Sequence, residues 1–320
     1  MAVLAETSVP YFPSASSIFA PRMIAAKSGA ALRIATFPAR LATDRGRVCV
    51  LLNGQTEFIE KYFEVIDELR GRGFAVATMD WRGQGGSVRA LTNPMKVHVT
   101  DFTEYDDDLA SLLDDVVRPL SKRAPIGLAH SMGAHNLLRG LHARPGAFAC
   151  AVLSAPMIAV STRGQPSWLA RVVTASMSAR RASTAGFVWG MARRDPLKLT
   201  FADQVVTSDA KRFRRTQELL EKAPEIRLAG PTWGWLEAAF RSMREVRSRG
   251  YAEAIVTPVL IAAAGHDRVC LTPAAKAYAT RMPHGSYVEI ENAEHEILME
   301  SDSIRARFWQ AFDAFVADHI

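Results

Sequence analysis

Six short strand-like runs recur along the chain, at residues 48–52, 74–79, 125–130, 148–154, 256–262 and 286–290, and each is followed by a loop and then by helical spacing. Val48-Cys-Val-Leu-Leu52 is apolar at every residue rather than at every second one, the pattern of a strand covered on both faces. After it, Tyr62, Phe63, Ile66 and Leu69 recur at helical intervals over 60–70, until Gly71 and Gly73 break the run. Helical spacing likewise follows the other runs, at 102–117, 132–142, 273–282 and 301–320. The first of these opens on an acidic turn at Asp101, which suits a helix N-terminus. Residues 22–27 and 31–37 around Ser28-Gly29 read as an opening hairpin. This alternation predicts an α/β fold: a mostly parallel, doubly wound sheet with helices on both faces.

The rhythm breaks after Pro156. Residues 157–250 lack strand signals and carry helical periodicity rich in Arg, Ala and Trp, so a helical cap inserted into a core of 22–156 and 251–320 is expected. Residues 1–21, with Pro10, Pro13, Pro21 and several serines, are expected to form a loose leader. An insertion flanked by strands belongs over the carboxyl edge of the sheet, where ligands bind in such folds. From 160 to 250 there are 17 Lys or Arg against 8 Asp or Glu, whereas the whole chain carries 39 against 33. A basic cap on a slightly acidic body suits anionic lipid, through Arg180-Arg181, Arg193-Arg194 and Lys211-Arg-Phe-Arg-Arg215, and a merely solvated basic face has the same composition. Zinc-finger spacing, RNP-like strands and long basic helices are all lacking, which argues against nucleic acid.

Apolar residues are 48% of 320 and charged residues 22%, so the chain is not disordered. No run approaches the roughly 20 uncharged apolar residues of a membrane span. The start, Met1-Ala-Val-Leu-Ala-Glu6, lacks the basic and apolar regions of a secretory signal. Cys49, Cys150 and Cys270 form no CxxC pair and are expected as reduced thiols, which points to the cytoplasm.

Ala129-His-Ser-Met-Gly133 stands between a predicted strand and a predicted helix, the setting of a nucleophile elbow, where small residues let strand and helix approach closely. Ser131 alone would also fit a helix N-cap. The remaining members of a triad are expected later in the chain, in the order acid, then histidine. Asp267 follows the 256–262 run and His295 the 286–290 run, so both belong to loops at the sheet edge that presents Ser131. His130, His135, His142 and His266 are weaker candidates for the base, and Glu296 and Glu300 are expected to support the histidine loop. The backbone N–H of Met132 is one expected oxyanion donor, and that of Gln55, beside the permissive Gly54, is the other. Gly83-Gln-Gly-Gly86 reads as a tight turn. Neither HExxH, a Cys/His cluster, GxGxxG nor a P-loop is present, so no metal or cofactor is expected. Trp168, Trp189, Trp233 and Trp235, with Phe187 and Phe240, are candidates to line an apolar acyl groove.

Asn53-Gly-Gln-Thr-Glu-Phe-Ile-Glu-Lys-Tyr62, Asp80-Trp-Arg-Gly-Gln-Gly-Gly-Ser87, the Ser131 pentapeptide, Gly265-His-Asp-Arg-Val269 and Ala293-Glu-His-Glu296 together resemble the α/β-hydrolase superfamily, and within it the lysophospholipase/monoacylglycerol lipase branch. Gly230-Pro-Thr-Trp-Gly-Trp-Leu236 resembles bacterial lysophospholipase-like members. The resemblance implies hydrolysis of a lipid-like carboxylester by Ser131, His295 and Asp267, through an acyl-enzyme and without a cofactor. It departs at Asn53, where many members have histidine, and at Ala129, where most have glycine. The same triad would serve a small-ester esterase or a proline-iminopeptidase-type peptidase, although a peptidase needs an acidic site for the substrate's amino terminus. A hydrolase fold retained as a binding module is the non-enzyme alternative, and the complete set of triad candidates counts against it.

Overall fold

The computed structural model describes residues 13–162, 167–191 and 195–320. Eight strands form one sheet: β1 (Arg22–Ala25), β2 (Ala31–Phe37), β3 (Arg47–Leu52), β4 (Phe74–Met79), β6 (Ile126–His130), β7 (Cys150–Ser154), β9 (Val259–Ala264) and β10 (Gly285–Ile290). Their order is β1-β2-β4-β3-β6-β7-β9-β10. The first two strands pair as an antiparallel hairpin with Arg22 opposite Ile34, and β2 runs antiparallel to β4; from β4 onward all pairings are parallel. The doubly wound α/β expectation therefore holds, with an antiparallel edge supplied by the hairpin.

The runs in the middle of the sheet are almost wholly apolar because both of its faces are covered there. Val48, Val50 and Leu52 of β3 join the core on one side, while Cys49 and Leu51 join the core on the other. Burying a side chain of this size contributes about 1.5–3 kcal/mol, so a polar residue at any of these positions would be costly. The helices beside the sheet are α1 (Pro13–Ser17), α2 (Phe63–Gly71), α3 (Thr103–Leu112), α4 (Arg118–Leu120), α5 (Ser131–Ala143), α10 (Thr272–Ala279) and α11 (Asp302–Ala317). Between α3 and α4 the chain widens into one π turn, Leu113–Val117, just ahead of Pro119, whose ring does not fit a regular helix interior.

Part of residues 13–21, read from the sequence as a loose leader, docks on the body through Ala15 and Phe19. Ala15 is buried, its N–H donates to Asp67, and Phe19 sits 5.1 Å from Phe63. Aromatic burial outweighs the loop-forming prolines there. The residues before 13 lie outside those described.

Between β7 and β9 the chain carries α6 (Ser167–Ala179), α7 (Arg181–Thr184), α8 (Ala210–Lys222) and α9 (Trp233–Val246). One short strand interrupts this helical stretch: β8 (Gly230–Pro231) runs parallel to β5 (Lys96–Val97) and ties the insertion to the body. Neither two-residue strand is legible in the sequence, because nothing so short has a period. Among the described residues no helix is long and apolar enough to cross a membrane.

Candidate active site

β6 ends at His130, and α5 begins at Ser131 without an intervening loop. Ser131 has φ +52°, a left-handed conformation that only a closely supported turn holds for a residue bearing a Cβ. Gly133 makes the turn possible. A Cβ there would lie 2.4 Å from the carbonyl oxygen of Asn53 and 2.7 Å from that of Leu52. The elbow thus presses against the end of β3, and Ala129 is fully buried beneath it.

His295 and Asp267 come to this elbow from the loops after β10 and β9. His295 Nδ1 donates to Asp267 Oδ2 at 2.8 Å, and its Nε2 stands 2.9 Å from Ser131 Oγ, placed to accept the hydroxyl proton. The other oxygen of Asp267 accepts the backbone N–H groups of Val269 and Cys270, each at 2.8 Å, which fixes the carboxylate plane. With both side chains nearly closed to solvent, the Nδ1–H tautomer is enforced, leaving Nε2 as the basic nitrogen. The three residues singled out from the sequence are therefore in hydrogen-bonded sequence.

The loop after β3 is held on both sides of Gln55. Gly54 N–H donates to the Glu57 carboxylate, and Thr56 N–H donates to Gln84 Oε1 at 2.8 Å. Gln84 Nε2 returns a bond to the Gly54 carbonyl at 2.9 Å. Among the described residues no hydrogen bond takes up the N–H of Gln55 or of Met132. Gly54 allows the close approach expected of it, since a Cβ would lie 2.8 Å from Glu57 Oε2 and 3.0 Å from the His130 ring. Asn53 turns its amide inward, donating to the Met79 carbonyl at 3.2 Å, while its own carbonyl accepts from the Trp81 indole at 2.9 Å.

Sequence reading misses Gln84 and the pair Glu57 and Lys61. The Gly83-Gln-Gly-Gly86 turn is present, with Gly83 and Gly85 at positive φ, but its buried glutamine serves the neighbouring loop. The Glu57–Lys61 spacing of four is a readable signal for an ion pair, and the two meet at 2.7 Å. The remaining histidines have other partners. His130 donates to the Ser154 carbonyl at 3.2 Å, and burial pushes it down to about 4. His135 bonds the Met157 carbonyl and Ser242, and burial together with the Arg139 charge pushes it down to about 3. His142 stacks on Tyr251 at 3.8 Å, and His266 lies on the surface. Glu300 accepts the Glu294 N–H at 2.8 Å and the Ser208 hydroxyl, so it does support the histidine loop.

The aromatic candidates divide. Trp235 is packed in the main core, and its indole donates to the Tyr105 hydroxyl at 3.0 Å, so it is a core residue and not part of a groove wall. Trp233 is buried as well and takes the edge of Trp189 at 5.0 Å, whereas Trp189 itself is 68% exposed. The side chain of Trp168 lies outside the described residues, as do Arg193 and Arg194. Of the basic run at the start of α8, Arg212 pairs with Glu64 and Asp302, and Arg215 with Glu64, so these two hold the insertion to the body and are not available to lipid. Lys211 and Arg214 remain exposed.

Asp267, Cys270 and His295 each offer one ligating atom, all within 4.8 Å of one another. The hydrogen bonds of His295 occupy both of its nitrogens, so the arrangement is that of a proton relay. It can pull the proton from a serine hydroxyl and return it to a leaving group.

Comparison with known proteins agrees with this chemistry. The serine aminopeptidase S33 family matches residues 43–302. Lysophospholipase L2 of Escherichia coli strain K12 is 33% identical over 287 residues, spanning 87% of this chain and 82% of that protein. A soluble variant of monoglyceride lipase from Saccharomyces cerevisiae, solved with a substrate analogue, superposes with a TM-score of 0.71 at 15% identity, covering 93% of this chain and 94% of that one. A thermostable carboxyl esterase from Bacillus coagulans, solved with glycerol, gives 0.73 at 16% identity, covering 94% and 98%.

Proposed function

Because the chain belongs to the S33 family of α/β-hydrolases, and within that superfamily to the lysophospholipase/monoacylglycerol lipase branch, we propose that it is a serine hydrolase that cleaves lipid-like carboxylesters, lysophospholipids or monoacylglycerols, and releases the fatty acid. The observation that carries the reading is the unbroken relay from Ser131 through His295 to Asp267, at 2.9 and 2.8 Å. In this mechanism His295 takes the Ser131 proton as the hydroxyl attacks the ester carbonyl, then gives it to the departing alcohol. Asp267 holds the imidazole and stabilises its charged form. The Gln55 and Met132 N–H groups receive the oxyanion; losing one such donor typically costs about 100- to 1000-fold in rate. Water activated by His295 then releases the acid.

The helical insertion, as a cap over this site, would supply specificity. Trp189 and Trp233 are its candidate contacts with the acyl chain. Arg180, Lys211 and Arg214, all exposed, are its candidates for peripheral contact with anionic lipid. Three buried free thiols suit a reducing compartment such as the cytoplasm. The peptidase and general-esterase alternatives are less well supported, given a 33% identical relative named a lysophospholipase.

The test compares fatty-acid release from lysophospholipids, monoacylglycerols and short p-nitrophenyl esters, alongside fluorophosphonate labelling of the wild type and Ser131→Ala. Labelling that persists in Ser131→Ala, or release confined to the short esters, would overturn the reading.

A further inference from the structure

Lys61 is a buried ammonium between the buried carboxylate of Glu57 and the partly buried one of Glu296, from distant parts of the chain. Its Nζ lies 2.7 Å from Glu57 Oε1 and 2.7 Å from Glu296 Oε1, 235 residues further along. Glu57 follows directly on the loop that presents Gln55, and Glu296 is the residue after His295. We propose that Lys61, with Glu57 and Glu296, is a positioning clamp that fixes the separation between the oxyanion loop and the histidine loop. The clamp presupposes the serine-hydrolase reading given above.

Stability alone does not account for a charge at this place. A buried ion pair returns little over a well-packed apolar group of the same size, because both charges lose their water. The second oxygen of Glu57 has a different task. It accepts the Gly54 N–H and, at 2.7 Å, the Tyr62 hydroxyl. One carboxylate therefore fixes the backbone just before Gln55, and Gln84 fixes it just after. On the other side, the Glu296 N–H donates to the Val206 carbonyl at 2.7 Å, so the histidine loop is held at the residue that meets Lys61. Between the two loops lies the His130 ring, 4.8 Å from that of His295. Burial alone would raise both acids, and the Lys61 charge pulls both the other way, holding Glu57 below its ordinary value. The ammonium thus meets a carboxylate of the oxyanion side and one of the histidine side at the same 2.7 Å.

A clamp acts on the transition state, in which oxyanion donors and imidazole must both be in place. A misplacement of about 1 Å can cost on the order of 100-fold in rate while leaving substrate affinity nearly intact. The test uses the full-length chain as Lys61→Met, Lys61→Arg and Glu296→Gln. Fluorophosphonate titration counts reactive serines, and kcat and KM for a p-nitrophenyl ester are expressed per titrated site. Lys61→Met should lose about 30-fold in kcat with KM within about threefold, Lys61→Arg should recover most of it, and Glu296→Gln should lose about fivefold with an unchanged melting temperature. Should Lys61→Met fail to fold, Glu296→Gln decides on the same criterion. A labelled, active wild type whose variants keep kcat per site within twofold overturns the clamp alone, even if they melt earlier. A wild type that is neither labelled nor active overturns the proposed function, and the clamp with it.

Discussion

The carbonyl oxygen of Asn53 occupies the space that a side chain at Gly133 would need, only 2.4 Å from the position of its Cβ. The first turn of α5 and the end of β3 are therefore in backbone contact. Neither carbonyl over Gly133 can swing aside as the tip of a flexible side chain could.

Gly133→Ala should on this ground destabilise the fold by about 2 kcal/mol or more, since the overlap falls on main chain. It should also displace the oxyanion loop and lower kcat per labelled serine. Urea unfolding and active-site titration measure the two effects separately; a variant with wild-type stability would contradict the packing described.

Asp267→Asn tests the tautomer. An amide in place of the carboxylate still accepts from Val269 and Cys270 through its oxygen but offers His295 a donor where an acceptor stood. The imidazole then loses its Nδ1–H anchor, and kcat should fall about 10⁴-fold with little change in melting temperature. Steady-state kinetics on a p-nitrophenyl ester would show it, and a fall of less than tenfold would remove Asp267 from the relay.

Stability should depend on pH through His135. Burial, with the nearby Arg139 charge, holds this imidazole neutral until about pH 3, against an ordinary value of 6.5. The unfolded chain takes up the proton first, so the folded state loses stability as pH falls from about 6.5 towards 3, by about 1.4 kcal/mol per pH unit once the unfolded histidine is fully charged. His130, held down to about 4, adds a slope of the same sign. Urea-unfolding free energies of wild type and His135→Gln at pH 7, 6 and 5 should diverge in slope by close to one proton. Parallel lines would show that His135 titrates normally.

Two tryptophans should answer differently. Trp235→Phe removes the indole bond to Tyr105 and should cost about 1 kcal/mol in stability while leaving acyl-chain preference unchanged. Trp189→Ala, at an exposed ring, should leave stability within about 0.5 kcal/mol and shift the preferred chain length of p-nitrophenyl esters. An unaltered chain-length profile would take Trp189 out of the substrate path.

The middle of the sheet was legible in the sequence because strands such as β3 and β9, buried on both faces, have no polar residues to disguise them. The edge strand β10 was legible from its place in the strand–helix alternation. Ser131, Asp267 and His295 were legible because each follows a strand in that alternation. What escaped has a common character. Whether Trp235 faces a groove or a core depends on Tyr105, 130 residues away, and whether Arg212 meets lipid or Glu64 depends on a helix 148 residues earlier. Lys61 is half legible: its spacing from Glu57 is local, but Glu296 is reached only through the fold. Packing of Phe19 against Phe63 likewise overrides a proline-rich composition.

The two-residue strands Lys96–Val97 and Gly230–Pro231 have a consequence out of proportion to their length. With Trp235 sunk into the body and Arg212 fastened to Glu64, they rivet the insertion down at separate points. An insertion fastened in this way does not lift as a hinged whole. On the proposed reading of it as a cap over Ser131, a slender flexible chain would reach the serine end-first and a broad rigid one would not, so cross-section would sort ligands before any chemistry begins.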